Sequence, residues 1–142
     1  MPDFKPLYAA TATASGGREG KARSSDGILD LTLTTPKELG GSGGVGTNPE
    51  QLFAAGYAAC FLSAIKVVAR EMKLNVPADT TVECTVAIGE DDGSFGLRAE
   101  LTVRSPDMDQ AVLRRVVDAA HQVCPYSRAT RDNIDVELSV AA

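Results

Sequence analysis

The stretch Pro49-Glu50-Gln51-Leu52-Phe53-Ala54-Ala55-Gly56-Tyr57-Ala58-Ala59-Cys60-Phe61-Leu62-Ser63-Ala64-Ile65-Lys66-Val67-Val68-Ala69-Arg70-Glu71-Met72-Lys73 decides the architecture of this chain. Asn48 ahead of it can cap a helix, Pro49 suits the first helical position, and Gln51 can complete a capping box. The helix is expected to run to about Lys73. Its side chains leave no continuous polar face until Lys66, Arg70, Glu71 and Lys73, so it must be buried on nearly all sides. In a chain of 142 residues one small sheet covers only one side of such a helix, and a homodimer supplying the other cover is the expected solution.

Upstream of the helix, Leu7 to Thr34 holds short alternating segments separated by the turn signals Ser15-Gly16-Gly17 and Asp26-Gly27. These read as an antiparallel meander. Pro36 ends that pattern, and Gly40, Gly41, Gly43, Gly44 and Gly46 make the next stretch a loop, expected to be closely packed. Gly41-Ser42-Gly43-Gly44-Val45-Gly46 formally matches a dinucleotide-binding fingerprint, but Pro36 separates it from the preceding strand and no βαβ unit surrounds it.

Downstream, Val82, Cys84, Val86 and Ile88 alternate, and Asp91-Asp92-Gly93 turns the chain into Leu97 to Val103, as in a hairpin. Asp107 or Asp109 then opens an amphipathic helix carrying Leu113, Val116, Val117, Ala120, Val123 and Cys124, which Pro125 stops. Ile134, Val136, Leu138 and Val140 alternate with polar residues as a half-buried last strand. The order βββ-α-ββ-α-β makes the fold α+β, in a single domain over residues 1–142.

Composition narrows the function. A net charge of −5 with scattered basic residues argues against a nucleic-acid partner. No apolar run is expected to reach the ~20 residues of a membrane span, and the start of the chain has no secretory h-region. A cytoplasmic protein acting on small molecules is expected. Three cysteines in that compartment do not form a structural scaffold, so a disulfide here is expected to be transient and catalytic.

The cysteines differ in setting. Cys84 shares the inward phase of its strand and reads as a small core hydrophobe. Cys60 lies among apolar neighbours, where burial raises a thiol pKa, so a nucleophilic role requires a nearby cation. A depression of about two pKa units corresponds to about 2.7 kcal/mol of preferential thiolate stabilisation, within the reach of one arginine. Cys124, at the end of its helix, is poorly placed to attack first, because that terminus disfavours a thiolate. It reads equally as core. His121 has no second His or paired cysteines to build a metal or haem site and is expected at the surface. Arg18 in its glycine turn and Glu50 in a first helical turn each have ordinary structural explanations.

Taken together, Leu7-Tyr8 through Gly16-Gly17-Arg18, Ser24-Ser25-Asp26-Gly27, Pro36-Lys37-Glu38-Leu39-Gly40-Gly41, the run from Gly46 to Phe61, and Val123-Cys124-Pro125-Tyr126-Ser127 closely resemble the organic hydroperoxide resistance proteins, the Ohr branch of the OsmC/Ohr family. The resemblance spans nearly the whole chain. It implies antiparallel sheets packed around long buried helices in an intertwined homodimer. It also implies a cysteine peroxidase with neither metal nor haem, which reduces alkyl and fatty-acid hydroperoxides and is recycled by dihydrolipoyl groups on lipoylated proteins. Carried across by position, Cys60 corresponds to the peroxidatic cysteine, Cys124 to the resolving cysteine, and Arg18 with Glu50 to the pair that keeps the site reactive. The Arg18 guanidinium would then stabilise the Cys60 thiolate and the departing alkoxide, with Glu50 holding it by a bidentate pair.

One geometric condition follows. On a straight helix Cys60 lies about 15 Å along the axis from Glu50 and about 80° away in rotation, so the two cannot meet directly. Arg18 must bridge them, the helix must break near Gly56, or the two halves must come from different subunits. Three other readings remain open: a redox sensor oxidised once without turnover, a protein of the OsmC branch with another substrate, and a small-molecule binding protein whose cysteines never bond.

Overall fold

In the computed structural model, which describes residues 3–142, the alternating segments before Pro36 form the expected meander. Strands β1 (Ala12–Ser15), β2 (Lys21–Ser24) and β3 (Asp30–Thr32) pair antiparallel in that order. A single 3-10 turn, Gly17–Glu19, joins β1 to β2 and carries Arg18. The turn between β2 and β3 is tied by Asp26, whose carboxylate accepts from the Ser24 hydroxyl at 2.6 Å and from the Ile28 N–H at 3.0 Å. Those two bonds, the hydroxyl first, hold the Asp26 carboxyl below its usual range. In the glycine-rich loop Gly41 abuts the Thr35 carbonyl so closely that no side chain fits there. Composition therefore reports close packing in this loop as well as flexibility.

The chain divides into two compact units, one ending at Pro49 and one running from Glu50 to Ala142. The second opens with α1 (Pro49–Glu71), 23 residues without a break at Gly56. Its buried residues are Tyr57, Phe61, Ala64, Ile65, Val68 and Ala69, one stripe at spacings of three and four. Ala55, Ala59, Ser63 and Val67 on another face are exposed. Within one chain the helix is thus buried on one stripe, with its other face uncovered, as expected of a helix that a single small sheet covers on one side. One correction concerns length and composition: α1 is long and apolar enough to cross a bilayer by those criteria alone. A single Lys66 does not interrupt the run sufficiently. The stripe nevertheless packs in the protein's own core with Leu101, Val103, Leu113, Val116 and Val117, each fully buried.

Strands β4 (Thr81–Asp91) and β5 (Ser94–Arg104) form the expected hairpin, with Asp91 opposite Ser94. Asp92 and Gly93 both take positive φ, 50° and 80°, as a two-residue hairpin turn of right-handed twist demands. Asp109 caps α2 (Gln110–Val123), its carboxylate accepting from the Val112 N–H at 3.0 Å. Pro125 does stop that helix. The extended backbone of Cys124 (ψ 124°) is what a residue before proline adopts. Pro125 also starts a further helix not foreseen from sequence, α3 (Pro125–Thr130), where its fixed φ suits the first position. The last strand, β6 (Val136–Ala141), joins β5 in parallel, so this sheet, in the order β4-β5-β6, is mixed. The alternation of a single strand carries no information about that pairing direction. Arg114 on α2 donates to the Leu138 carbonyl at 2.9 Å and fastens the crossover helix to β6.

Candidate active site

Cys60 and Cys124, 64 positions apart in sequence, meet in the second unit with their sulfurs 3.6 Å apart. Cys60 reaches this point from the fourth turn of α1. Cys124 is held by its neighbours in the backbone: its N–H donates to the Ala120 carbonyl at 2.8 Å, closing α2, and its carbonyl accepts from the Arg128 N–H at 3.0 Å, opening α3. It therefore stands at the end of one helix and the start of the next, which corrects its reading as a C-terminal residue only. Both thiols are free.

The two sulfurs are not equivalent. Cys124 is fully buried, whereas Cys60 is half-buried and so is the one a solute can reach. A disulfide needs the sulfurs to approach from 3.6 Å to about 2.05 Å. Burial pushes the Cys60 thiol up from its ordinary value, and the N–H of Tyr126 pointing at the sulfur partly offsets this. The neighbouring Cys124 adds to the rise.

Around the pair stand aromatic rings from both sides. Phe53, Tyr57 and Phe61 on α1 form successive edge contacts with centroids 6.2 and 6.4 Å apart, and Tyr126 lies 5.8 Å from Tyr57 and 6.2 Å from Phe53. In this unit Cys60 thus shares α1 with an aromatic cluster and receives the Tyr126 N–H. A cleft of about 820 Å³ elsewhere in this unit, between the β4–β5 hairpin and residues 131–136, is lined by neither cysteine.

Of the sequence-predicted residues, Cys60 and Cys124 come together. Arg18 sits in the 3-10 turn of the first unit and Glu50 in the first turn of α1. Because α1 is continuous through Gly56, Glu50 and Cys60 are separated by about 15 Å of helix and do not touch, as the geometric condition anticipates. Cys84, on β4, is half-buried against the core, and burial pushes its thiol up to about 11, as suits a structural cysteine.

His121 departs from expectation. It is half-buried rather than at the surface, and its Nδ1 lies 2.8 Å from the Ser127 hydroxyl. Burial first, and then the charge of Arg131, lower its pKa. The missing signal was present in sequence: a phenol at Tyr57 in the apolar stripe of a helix needs a polar partner, and Ser127 and Thr130 supply it at 2.9 and 3.1 Å.

Comparison with known proteins decides the family. A family model described as OsmC-like protein matches residues 40–139. The chain is 60% identical over 137 residues to the organic hydroperoxide resistance protein of Xanthomonas axonopodis pv. citri, covering 96% of each. It belongs to the OsmC/Ohr family, in the Ohr branch. Its fold is similar to that of OhrB from Bacillus subtilis, with a TM-score of 0.88 and 44% identity over 96% of this chain and all of that one. It is also similar to a Vibrio cholerae organic hydroperoxide resistance protein crystallised with captopril in one of its active sites, with a TM-score of 0.89 and 48% identity over 97% of this chain and 94% of that one.

Proposed function

We propose that this protein is a thiol-dependent peroxidase that reduces organic hydroperoxides to alcohols and thereby protects against organic peroxide stress. The observation that carries the reading is the 3.6 Å approach of a half-buried Cys60 to a fully buried Cys124. The Cys60 thiolate attacks the terminal oxygen of the hydroperoxide, the O–O bond breaks, and the alkoxide leaves and takes a proton as the alcohol. Cys60 is then a sulfenic acid. Cys124 displaces its hydroxyl, forming the Cys60–Cys124 disulfide and water. An external dithiol of the dihydrolipoyl class returns both thiols by exchange and becomes the cyclic disulfide. The sulfurs carry both electrons, so the cycle needs no metal or organic cofactor.

Burial raises the Cys60 pKa, so the thiolate needs a countercharge, and Arg18 is assigned that role with Glu50 holding it. The aromatic side chains beside Cys60 favour substrates with apolar tails over hydrogen peroxide. A cytoplasmic homodimer is part of the reading, since a second copy would cover the exposed Ala59 and Val67 face of α1.

The test is single-turnover oxidation of the reduced protein by cumene hydroperoxide and by hydrogen peroxide, with mass spectrometry to locate the disulfide and dihydrolipoamide added afterwards. Fast, organic-selective formation of Cys60–Cys124, reversed by dihydrolipoamide, is expected. Slow oxidation without that bond, or equal response to both peroxides, overturns the assignment and favours a sensor or a binding protein.

A further inference from the structure

Four polar side chains that flank the two cysteines form one continuous series of contacts. His121 Nδ1 lies 2.8 Å from Ser127 Oγ, Ser127 Oγ lies 2.9 Å from Tyr57 Oη, and Tyr57 Oη lies 3.1 Å from Thr130 Oγ1. The Thr130 hydroxyl donates to the Ser127 carbonyl at 3.3 Å. That last bond fixes every proton in the series. Thr130 has used its hydrogen, so Tyr57 donates to Thr130, Ser127 donates to Tyr57, and His121 must donate from a protonated Nδ1. All four contacts are made at once only in this arrangement.

Tyr57 and Ser127 are fully buried and Thr130 nearly so. Arg131 donates to the His121 carbonyl at 2.8 Å and ties the same corner down. The placement matters because Tyr57 stands one turn before Cys60 on α1, while Ser127 stands three residues after Cys124 on the six-residue α3. The series thus links the turn that carries one sulfur to the helix that begins just after the other. Between that helix and α2, Cys124 is in extended backbone.

We propose that Tyr57 and Ser127 are positioning residues for the resolving step, their hydrogen bonds keeping the Cys124 sulfur within closing distance of Cys60. The inference rests on the peroxidase reading and concerns its second step alone. In that step the Cys124 sulfur attacks the Cys60 sulfur, the S–OH bond breaks, and the hydroxyl leaves with the Cys124 proton as water. No oxidant beyond the hydroperoxide is required. Closure is an intramolecular reaction whose rate depends on near-attack geometry, and a misplacement of about 1 Å can cost about a hundredfold.

The test compares Tyr57→Phe, which keeps the ring and breaks two contacts, with Thr130→Val and the conservative Thr130→Ser. Each reduced protein receives one equivalent of cumene hydroperoxide and is quenched at intervals with a dimedone probe. Mass spectrometry then reads the Cys60 adduct against the Cys60–Cys124 disulfide. In Tyr57→Phe closure is expected to slow by about tenfold relative to the first oxidation, with the adduct accumulating. Thr130→Val should show the same effect in smaller degree, and Thr130→Ser should restore closure. If Tyr57→Phe does not fold, the Thr130 pair decides. Closure in step with wild type in both Tyr57→Phe and Thr130→Val overturns the proposal. So does a wild-type His121 whose ¹⁵N shifts place the neutral ring's proton on Nε2. A wild type that forms adduct but never the disulfide overturns the two-cysteine reading itself.

Discussion

The ring of Tyr126 rests on Gly56, one helical turn before Cys60, with its hydroxyl 3.0 Å from where a side-chain carbon on residue 56 would stand. A glycine inside a helix costs about 1 kcal/mol relative to alanine, and here that cost coincides with a close approach that only hydrogen permits. Alanine at 56 would need Tyr126 to give by a few tenths of an ångström, which a partly exposed ring can do, so Gly56→Ala should be nearly neutral in stability. Gly56→Leu cannot be accommodated that way. It should cost about 1–3 kcal/mol by overpacking and displace the Tyr126 ring from beside Cys60. Thermal unfolding, paired with the rate of Cys60 alkylation, checks both substitutions; equal stability and equal alkylation in Gly56→Leu would show that the contact carries no constraint.

Burial and Cys124 both push the Cys60 thiol upward, so reactivity near neutrality depends on the proposed countercharge from Arg18. Arg18→Ala should reduce the second-order rate with cumene hydroperoxide by about a hundredfold at pH 7, the equivalent of about two pKa units of lost thiolate stabilisation. Because a higher pKa leaves less thiolate at neutral pH and the same amount in alkali, the deficit should shrink as pH rises. Arg18→Lys should also be impaired, since an ammonium cannot form the bidentate pair with Glu50. A pH–rate profile reads this directly. A deficit that stays constant from pH 7 to 10 would place the role of Arg18 elsewhere than on the thiolate.

Much of this was legible in the sequence because its signals are local. Pro49 and Asp109 mark helix starts, Asp92-Gly93 dictates its turn, and the inward phase of Cys84 sets its burial. What was hidden depends on pairing at a distance. The parallel docking of β6 onto β5 is invisible in the alternation of either strand. Helix α3 was missed because Pro125 reads as a stop, while the same fixed φ also favours a start. Periodicity alone puts His121 at the surface, because its partner hydroxyl, on Ser127, lies across a helix boundary that periodicity does not span. The pairing of Cys60 with Cys124 is carried by the family likeness, because 64 intervening positions leave no local signal that the two sulfurs lie 3.6 Å apart.

Cys84 offers an internal control for thiol chemistry. Burial moves its pKa from the ordinary 9.0 to about 11, so at pH 7.5 almost none of it is thiolate. Iodoacetamide should therefore modify Cys60 in the native protein and leave Cys84 untouched until the chain is denatured. The raised folded pKa also carries a stability consequence with a definite sign. The neutral thiol is favoured by folding, so this contribution is complete below pH 9 and is lost as pH rises towards 11. Unfolding followed over that interval should show a decline that is smaller in Cys84→Ala; a native Cys84 that labels as fast as Cys60 at pH 7.5 would contradict its placement against the core.

Cys124 is the residue whose removal separates the two chemical steps. It is fully buried, so Cys124→Ala removes a small apolar group from the core and should cost on the order of 1–2 kcal/mol while leaving the fold intact. Cys60 remains reachable from solvent, so the first oxidation should still occur. With no sulfur 3.6 Å away to displace the hydroxyl, the sulfenic acid should persist, react with dimedone, and advance to the sulfinic acid when a second equivalent of hydroperoxide is added. Dihydrolipoamide would then meet a sulfenic acid in place of a disulfide, and turnover should fall sharply. Intact-mass measurement after one and two equivalents distinguishes these species. A Cys124→Ala protein that turns over at the wild-type rate without accumulating sulfenic acid would mean that the external dithiol resolves Cys60 directly and that the buried partner is structural.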